Sequence, residues 1–171
     1  MLSAKNGFYS FESALHVFPG CDHSDHMSLR RWNEAATWKA AFGNFLDSTV
    51  CFAEDVFGEQ FAIAGDEIVG FNPESGEINV LAKSIEEWAC RVLTEYDSLV
   101  GFPIAHEWQV RFGPLKQGDR LVPKRAFIFG GEYDVDNLYG LEAAAAMRLR
   151  GDIYQQIRDL PDGAKVRILI Q

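Results

Sequence analysis

The segment CDHSDHM, residues 21–27, sets Cys21, His23 and His26 beside Asp22 and Asp25, a dense set of potential metal ligands. Thiolate and imidazole suit zinc, but a structural zinc site needs a second such cluster, or ligands converging from several elements. The remaining histidines, His16 and His106, stand alone. The segment therefore reads as a solvated loop, with metal binding the lesser reading. HEWQV at 106–110 opens like a zinc-protease helix, yet that chemistry needs a second imidazole where Val110 stands.

Carboxylates are the other candidates. GEYDVDNLYG places Glu132, Asp134 and Asp136 at alternate positions, with Tyr133 and Val135 between them. In an extended chain alternate side chains share a face, so this spacing predicts an acidic stripe along a strand. An EF-hand loop is excluded, because Leu138 and Tyr139 fall where oxygen ligands are needed. In FAEDVFGEQF, residues 52–61, Glu54 and Asp55 lie between aromatics and ahead of Gly58. Adjacent side chains point differently and rarely act on one bond. A turn-forming Asp, bonding backbone N–H groups, is preferred, with both acids turned to solvent. Cys51, between Val50 and Phe52, reads as a buried hydrophobe rather than a nucleophile. The Arg-Gly-Asp at 150–152 falls in a predicted helix and carries no weight. GxSxG, P-loop and GxGxxG motifs do not occur.

The elements that must position these residues are legible in part. Ser10 could cap a helical turn carrying Phe11, Ala14, Leu15 and Phe18, and Ser28 a helix carrying Leu29, Trp32 and Ala36. Residues 1–45 are thus expected to form a helical segment packed on the rest. TVCFA, QFAI, EIVGF and EINVLA follow as short strands joined by Gly65-Asp66 and by NPESG at 72–76. Connections this short permit only an antiparallel meander. Ser84 and Glu87 form a capping-box signature, followed by Ile85, Trp88, Ala89 and Val92 at helical spacing. Pro103 suits the first turn of another helix. AFIFGG reads as a strand, GDIYQQIRDL as a helix, and KVRILI as a last strand with Val166, Ile168 and Ile170 inward. The expectation is one α+β domain over 1–171, with a mainly antiparallel sheet of about six strands wrapped by helices.

Sixteen basic and 25 acidic residues give a net charge of -9. That balance disfavours nucleic acid or an anionic membrane as partner and suits a basic protein. Neither a signal peptide nor a run of ~18 apolar residues is recognised, and three unspaced cysteines do not make a disulfide framework. A cytoplasmic protein is expected.

FAEDVFGEQFAI, FNPESGEINVLAKSIEEWACRVL, GFPIAHEWQ, LVPKRAFIFGGEYDVDNLYGLE and MRLRGDIYQQIRDLPDGAKVRI, taken in order, resemble the SUKH superfamily. That superfamily groups fungal cell-wall-synthesis regulators of the Smi/Knr type with bacterial immunity proteins. The likeness runs from about Phe52 to Ile170. Gly70 stands where relatives often carry an aromatic, and Gly140 departs from the usual NLYAL. The resemblance implies a helix-wrapped sheet without catalytic machinery or cofactor. It implies a chain that neutralises a cognate toxin by protein contact, a basic nuclease being one candidate. Glu54, Asp55, Glu132, Tyr133, Asp134 and Asp136 are the candidate partner-binding residues. A scaffold or regulatory module of the same fold is the alternative, and a metal-dependent hydrolase the remaining one.

Overall fold

In a computed structural model, which describes residues 6–21, 27–161 and 163–169, six strands form one antiparallel sheet in sequence order. They are β1 (Phe8–Ser10), β2 (Leu15–Val17), β3 (Thr49–Glu54), β4 (Gln60–Ala64), β5 (Glu67–Phe71) and β6 (Ile78–Ala82). The meander β3–β6 follows from its turns. Gly65, at φ +60°, supplies the positive φ that a two-residue hairpin needs at its first central position. Asn72 closes the next turn, its Oδ1 accepting from the Glu74 and Ser75 N–H groups. A separate antiparallel ribbon joins β7 (Asp119–Pro123) to β8 (Leu138–Glu142). With its helices the chain is a single α+β domain.

The sheet is buried on both faces. Phe61 and Ile68 point to a core shared with Trp88, Val92 and Leu121. Their neighbours Ala62 and Val69 point to a second core with Trp32, Trp38, Phe42, Phe71 and Met147. This is the period-two alternation of a strand expressed as two apolar layers. The first layer is covered by α2 (Ile85–Leu99) and α3 (Phe102–Phe112), the second by residues 29–46 and α4 (Ala143–Ile157). In the second core Phe18 and Trp32 lie 4.6 Å apart, and Phe42 meets Phe71 edge-on at 5.1 Å. Such pairs contribute about 0.5–1.5 kcal/mol each beyond the area they bury.

Local chemistry sets the helix ends. The Ser84 hydroxyl accepts from Glu87 N at 3.1 Å, while the Glu87 carboxylate accepts from Lys83 N rather than Ser84 N. The capping box thus closes one residue early. Pro103 occupies the first turn of α3, after Gly101 at φ +68°. Glu142 caps α4 through the Ala144 and Ala145 N–H groups, so this helix starts at the alanine run and includes GDIYQQI.

Four expectations are corrected. Residues 8–17 form a hairpin rather than a helix, its turn built from Phe11, Glu12 and Ser13 with φ of 50°, 50° and 69°. The Ser28-capped helix α1 (Leu29–Trp32) lasts four residues, because Asn33 leaves it to pair with the Cys51 N–H and C=O at 2.8 Å each. AFIFGG is no strand: Phe127–Phe129 form a 3-10 turn, and the strand is the DRLVP before it. Residues 165–169 of KVRILI have no regular structure, with Val166 37% and Leu169 62% exposed. Among the described residues no helix is long and apolar enough to cross a membrane.

Candidate binding cleft

The β3–β4 turn carries the chain's concentration of buried charge. Asp55 organises it: its Oδ1 accepts from Phe57 N at 2.9 Å and Glu59 N at 2.8 Å. Its own N–H donates to Glu59 O at 3.0 Å, and Gly58 takes φ +80°. The turn-forming role expected of Asp55 is therefore present. The solvent exposure expected of both acids is not: Glu54 is 1% and Asp55 5% exposed. The turn is covered by β7, where Leu121 N donates to Val56 O, and by Arg150 of α4, whose Nη1 would lie 3.2 Å from a Cβ at Gly58.

Glu54 belongs to a closed polar network. Its Oε1 meets His16 Nδ1 at 3.0 Å and accepts from Arg120 Nε at 2.9 Å. Its Oε2 accepts from Gln60 Nε2 at 3.4 Å, and Gln60 Oε1 accepts from Trp32 Nε1 at 2.7 Å. Tyr9 stacks on His16 at 4.1 Å, with the Arg120 guanidinium 5.4 Å from its ring. Burial alone would raise the Glu54 carboxyl. Arg120, His16 and Gln60 outweigh burial and hold it below its ordinary value.

Asp55 is in the opposite condition. Burial first, and then the Glu59 carboxylate, push it well above its usual range. Burial also raises Glu59; Arg150 opposes that rise and Glu74 adds to it. These two acids line a cleft of about 330 Å³ between the turn, β5–β6 and the end of α2. Glu77, Asn72, Asn79 and Ser98 contribute polar walls, and Phe57, Phe61 and Tyr133 contribute aromatic ones. Tyr133 stands at the rim, 58% exposed, stacked 3.8 Å from Phe127 and edge-on to Phe57 at 5.6 Å.

Of the six candidate residues, Asp55 and Tyr133 meet at this cleft, while Glu54 faces the buried network. Glu132, Asp134 and Asp136 are exposed but do not form a stripe. Residues 131–134 are irregular and Val135–Asn137 is a 3-10 turn, capped by Asp134 Oδ1 on Asp136 N at 2.7 Å. Asp136 pairs with Arg111 at 2.7 Å. Sequence reasoning missed Glu59, Glu77, Arg120 and Arg150. Glu59 carried a signal, since it closes the same turn; Arg120 and Arg150 are brought in by distant elements. Arg150 of the Arg-Gly-Asp tripeptide is 4% exposed inside α4, and a Cβ at Gly151 would lie 2.5 Å from that of Ala41.

The other chemical candidates separate by geometry. Cys51 is buried and its thiol is pushed up to about 11 by burial, which leaves it a core residue at neutral pH. His106 meets Glu12 at 2.9 Å on the surface, and Val110 is 73% exposed. Among the described residues no three His, Cys, Asp or Glu side chains are arranged to hold a metal ion. Residues 22–26 of CDHSDHM lie outside the described residues.

No family model and no curated protein matches the chain. Its fold is similar to that in the crystal structure of Atu4351 from Agrobacterium tumefaciens, with a TM-score of 0.56 and 15% identity. The match covers 85% of this chain and 69% of that one. At that identity the likeness speaks for the fold alone.

Proposed function

We propose that this chain is a SUKH-type immunity protein that neutralises a basic protein toxin by direct contact and not by catalysis. The observation that carries the reading is the cleft, where the carboxyls of buried Asp55 and of Glu59 stand beside exposed Tyr133. A cationic surface docked there would favour the ionised forms that burial disfavours in the free protein. The net charge of -9 supports the same polarity of partner, because complementary fields speed encounter. Nuclease toxins fit as a class, since they must be basic to hold phosphates. The other cluster of ionisable groups, His16–Glu54–Arg120, is sealed from solvent, with Glu54 and Arg120 each 1% exposed. A substrate has no access to it, which favours a structural role. The proposed setting is the cytoplasm, where such a toxin would act.

The test is co-expression with the product of the adjacent gene. The expected result is a stable complex that weakens with rising salt and protects cells from that product. A neighbour that is harmless and does not bind would overturn the proposal.

A further inference from the structure

We propose that the KVRILI segment of one copy adds as a strand to the open edge of β6 in a second copy, so that this chain self-associates by strand addition. The inference goes beyond the toxin-binding role proposed above and does not rest on it.

The first observation is an open edge. β6 ends the six-stranded sheet, with β5 on one side and no strand on the other among the described residues. Ile78, Asn79 and Val80 are exposed in succession, so the edge is uncovered on both faces. Arg91 Nη1 donates to Leu81 O at 2.7 Å and closes the end of the strand, which leaves residues 78–80 as the free length. The opposite edge differs, since Phe8, Tyr9 and Ser10 of β1 are all half-buried. An exposed strand edge is a template for another strand, and proteins commonly blunt it with lysine or proline. Neither occurs within Ile78–Ala82, where Ile78 is instead 39% and Val80 59% exposed.

The second is a strand pattern without a sheet. Val166 and Ile168 alternate with Lys165 and Arg167, yet residues 165–169 pair with no strand among the described residues. Gln156 of α4 holds the segment by its backbone. Its Nε2 donates to Leu169 O at 2.9 Å, and its Oε1 accepts from Leu169 N at 3.0 Å. A side-chain amide here takes the two hydrogen bonds that a residue of a neighbouring strand exchanges with its partner.

The third is that the two patterns match. Ile78 pairs with Phe71 and Val80 with Val69, so both continue the face of the second core. Asn79 pairs with Gly70, on the face that Phe61 gives to the first core. An antiparallel strand with Val166 opposite Val80 and Ile168 opposite Ile78 prolongs the apolar face. Arg167 then lies opposite Asn79 and diagonal to Glu77, an exposed acid within reach of a long side chain. A slip of one residue would set Lys165 and Arg167 against the apolar face, so the alternation selects this register. Charge favours the same contact, because the segment is basic and the chain as a whole carries -9. Within its own copy the segment lies against α4 and not on β6. A second copy supplies both segment and edge, and reciprocal addition fills both edges in one two-fold dimer.

Sedimentation of the full chain from about 1 μM to about 1 mM should show a reversible dimer that weakens with salt. Val80→Lys at the edge and Val166→Lys in the segment should each weaken it at least about tenfold. Val110→Lys, at an apolar position 73% exposed on α3, should leave it unchanged. Thermal melts of dilute samples check that each variant is folded. Mixing Val80→Lys with Val166→Lys should recover association, because one keeps the segment and the other the edge. Isotope-filtered spectra of labelled with unlabelled chain should join Ile168 to Ile78 between copies. A monomer at every concentration, or a dimer that ignores either variant, would overturn the inference. The same Ile168–Ile78 contact persisting in the monomer would assign the segment to its own chain and also overturn it.

Discussion

Glu54→Ala should be among the most damaging single substitutions in this chain, by about 3–5 kcal/mol. The carboxylate it removes faces His16 Nδ1 and accepts from Arg120 Nε and Gln60 Nε2. The Arg120 side chain is 1% exposed, and its Nη2 already lacks a partner. Without Glu54, that guanidinium keeps the Ser13 carbonyl at 2.8 Å and the Tyr9 ring, with the Asp55 carboxyl acting on it from further off. Hydrogen bonds to charged groups are worth about 1.5–3 kcal/mol each, so losing the ion pair within this network reaches the stated range. Against a total of about 5–15 kcal/mol this is a large fraction. With a urea dependence of about 2 kcal/mol per molar, the midpoint should fall by about 2 M. Tryptophan fluorescence can follow the transition, because Trp32, Trp38 and Trp88 are all buried. Removing both charges in Glu54→Leu with Arg120→Met should recover most of the loss, since the penalty lies in the unpaired ion. Acid supplies a further control. The folded Glu54 carboxyl sits below its ordinary value, so its stabilisation is full above about pH 4.3 and is lost as pH falls through the folded value. The gap between wild type and Glu54→Gln should therefore narrow in acid. A Glu54→Ala loss below about 1 kcal/mol would refute the account of a buried, interdependent pair.

Asp55→Asn should fold, and its stability relative to wild type should rise as pH climbs above about 4 in denaturant titrations. The sign follows from the raised Asp55 carboxyl: its favourable contribution is complete below the unfolded value and disappears as pH climbs through the folded one. Gly101→Ala should destabilise by more than about 1 kcal/mol in thermal melts, because the position holds φ +68° and a Cβ there would lie 2.6 Å from Phe57 Cε2. Ser84→Ala should remove the cap of α2 and lower stability by about 1 kcal/mol, read as a shifted urea midpoint at constant slope.

What the sequence disclosed is what local chemistry decides. Gly65, Asn72 and Gly76 fix the turns of β4–β6, and Ser84 and Pro103 mark the starts of α2 and α3. The hairpin at residues 8–17 was hidden because its apolar residues fall at helical spacing. Its left-handed turn is held from elsewhere, by Arg120 on Ser13 O and by Gln109 on Glu12 O. AFIFGG looked like a strand, but Arg125 Nε donates to Phe129 O and Asn137 brackets the Arg125 backbone, which folds the segment into a turn. KVRILI alternates correctly, yet its described residues, 165–169, pair with no strand. The candidate site failed in the same way. Glu54 and Asp55 were visible as acids beside a turn, but the groups that settle their states, Arg120 and Arg150, lie on β7 and α4.

The contrast between these two adjacent residues is the strongest indication that one of them serves more than the fold. Side chains one residue apart leave a strand on opposite sides, so Glu54 enters the sealed network and Asp55 enters the turn beside the cleft. Glu54 needs its charge, because Arg120 is buried against it. The Asp55 turn needs only an acceptor oxygen at Oδ1, and asparagine carries one without the expense of burying a carboxylate. The negative charge at position 55 is therefore a burden on the free protein that its local structure does not require. Under the proposed binding role that burden has a use: a cation docked at the cleft would favour the ionised carboxylate that burial disfavours. On this reasoning Asp55→Asn separates the two demands, leaving a chain that folds at least as well at neutral pH and holds its basic partner more weakly.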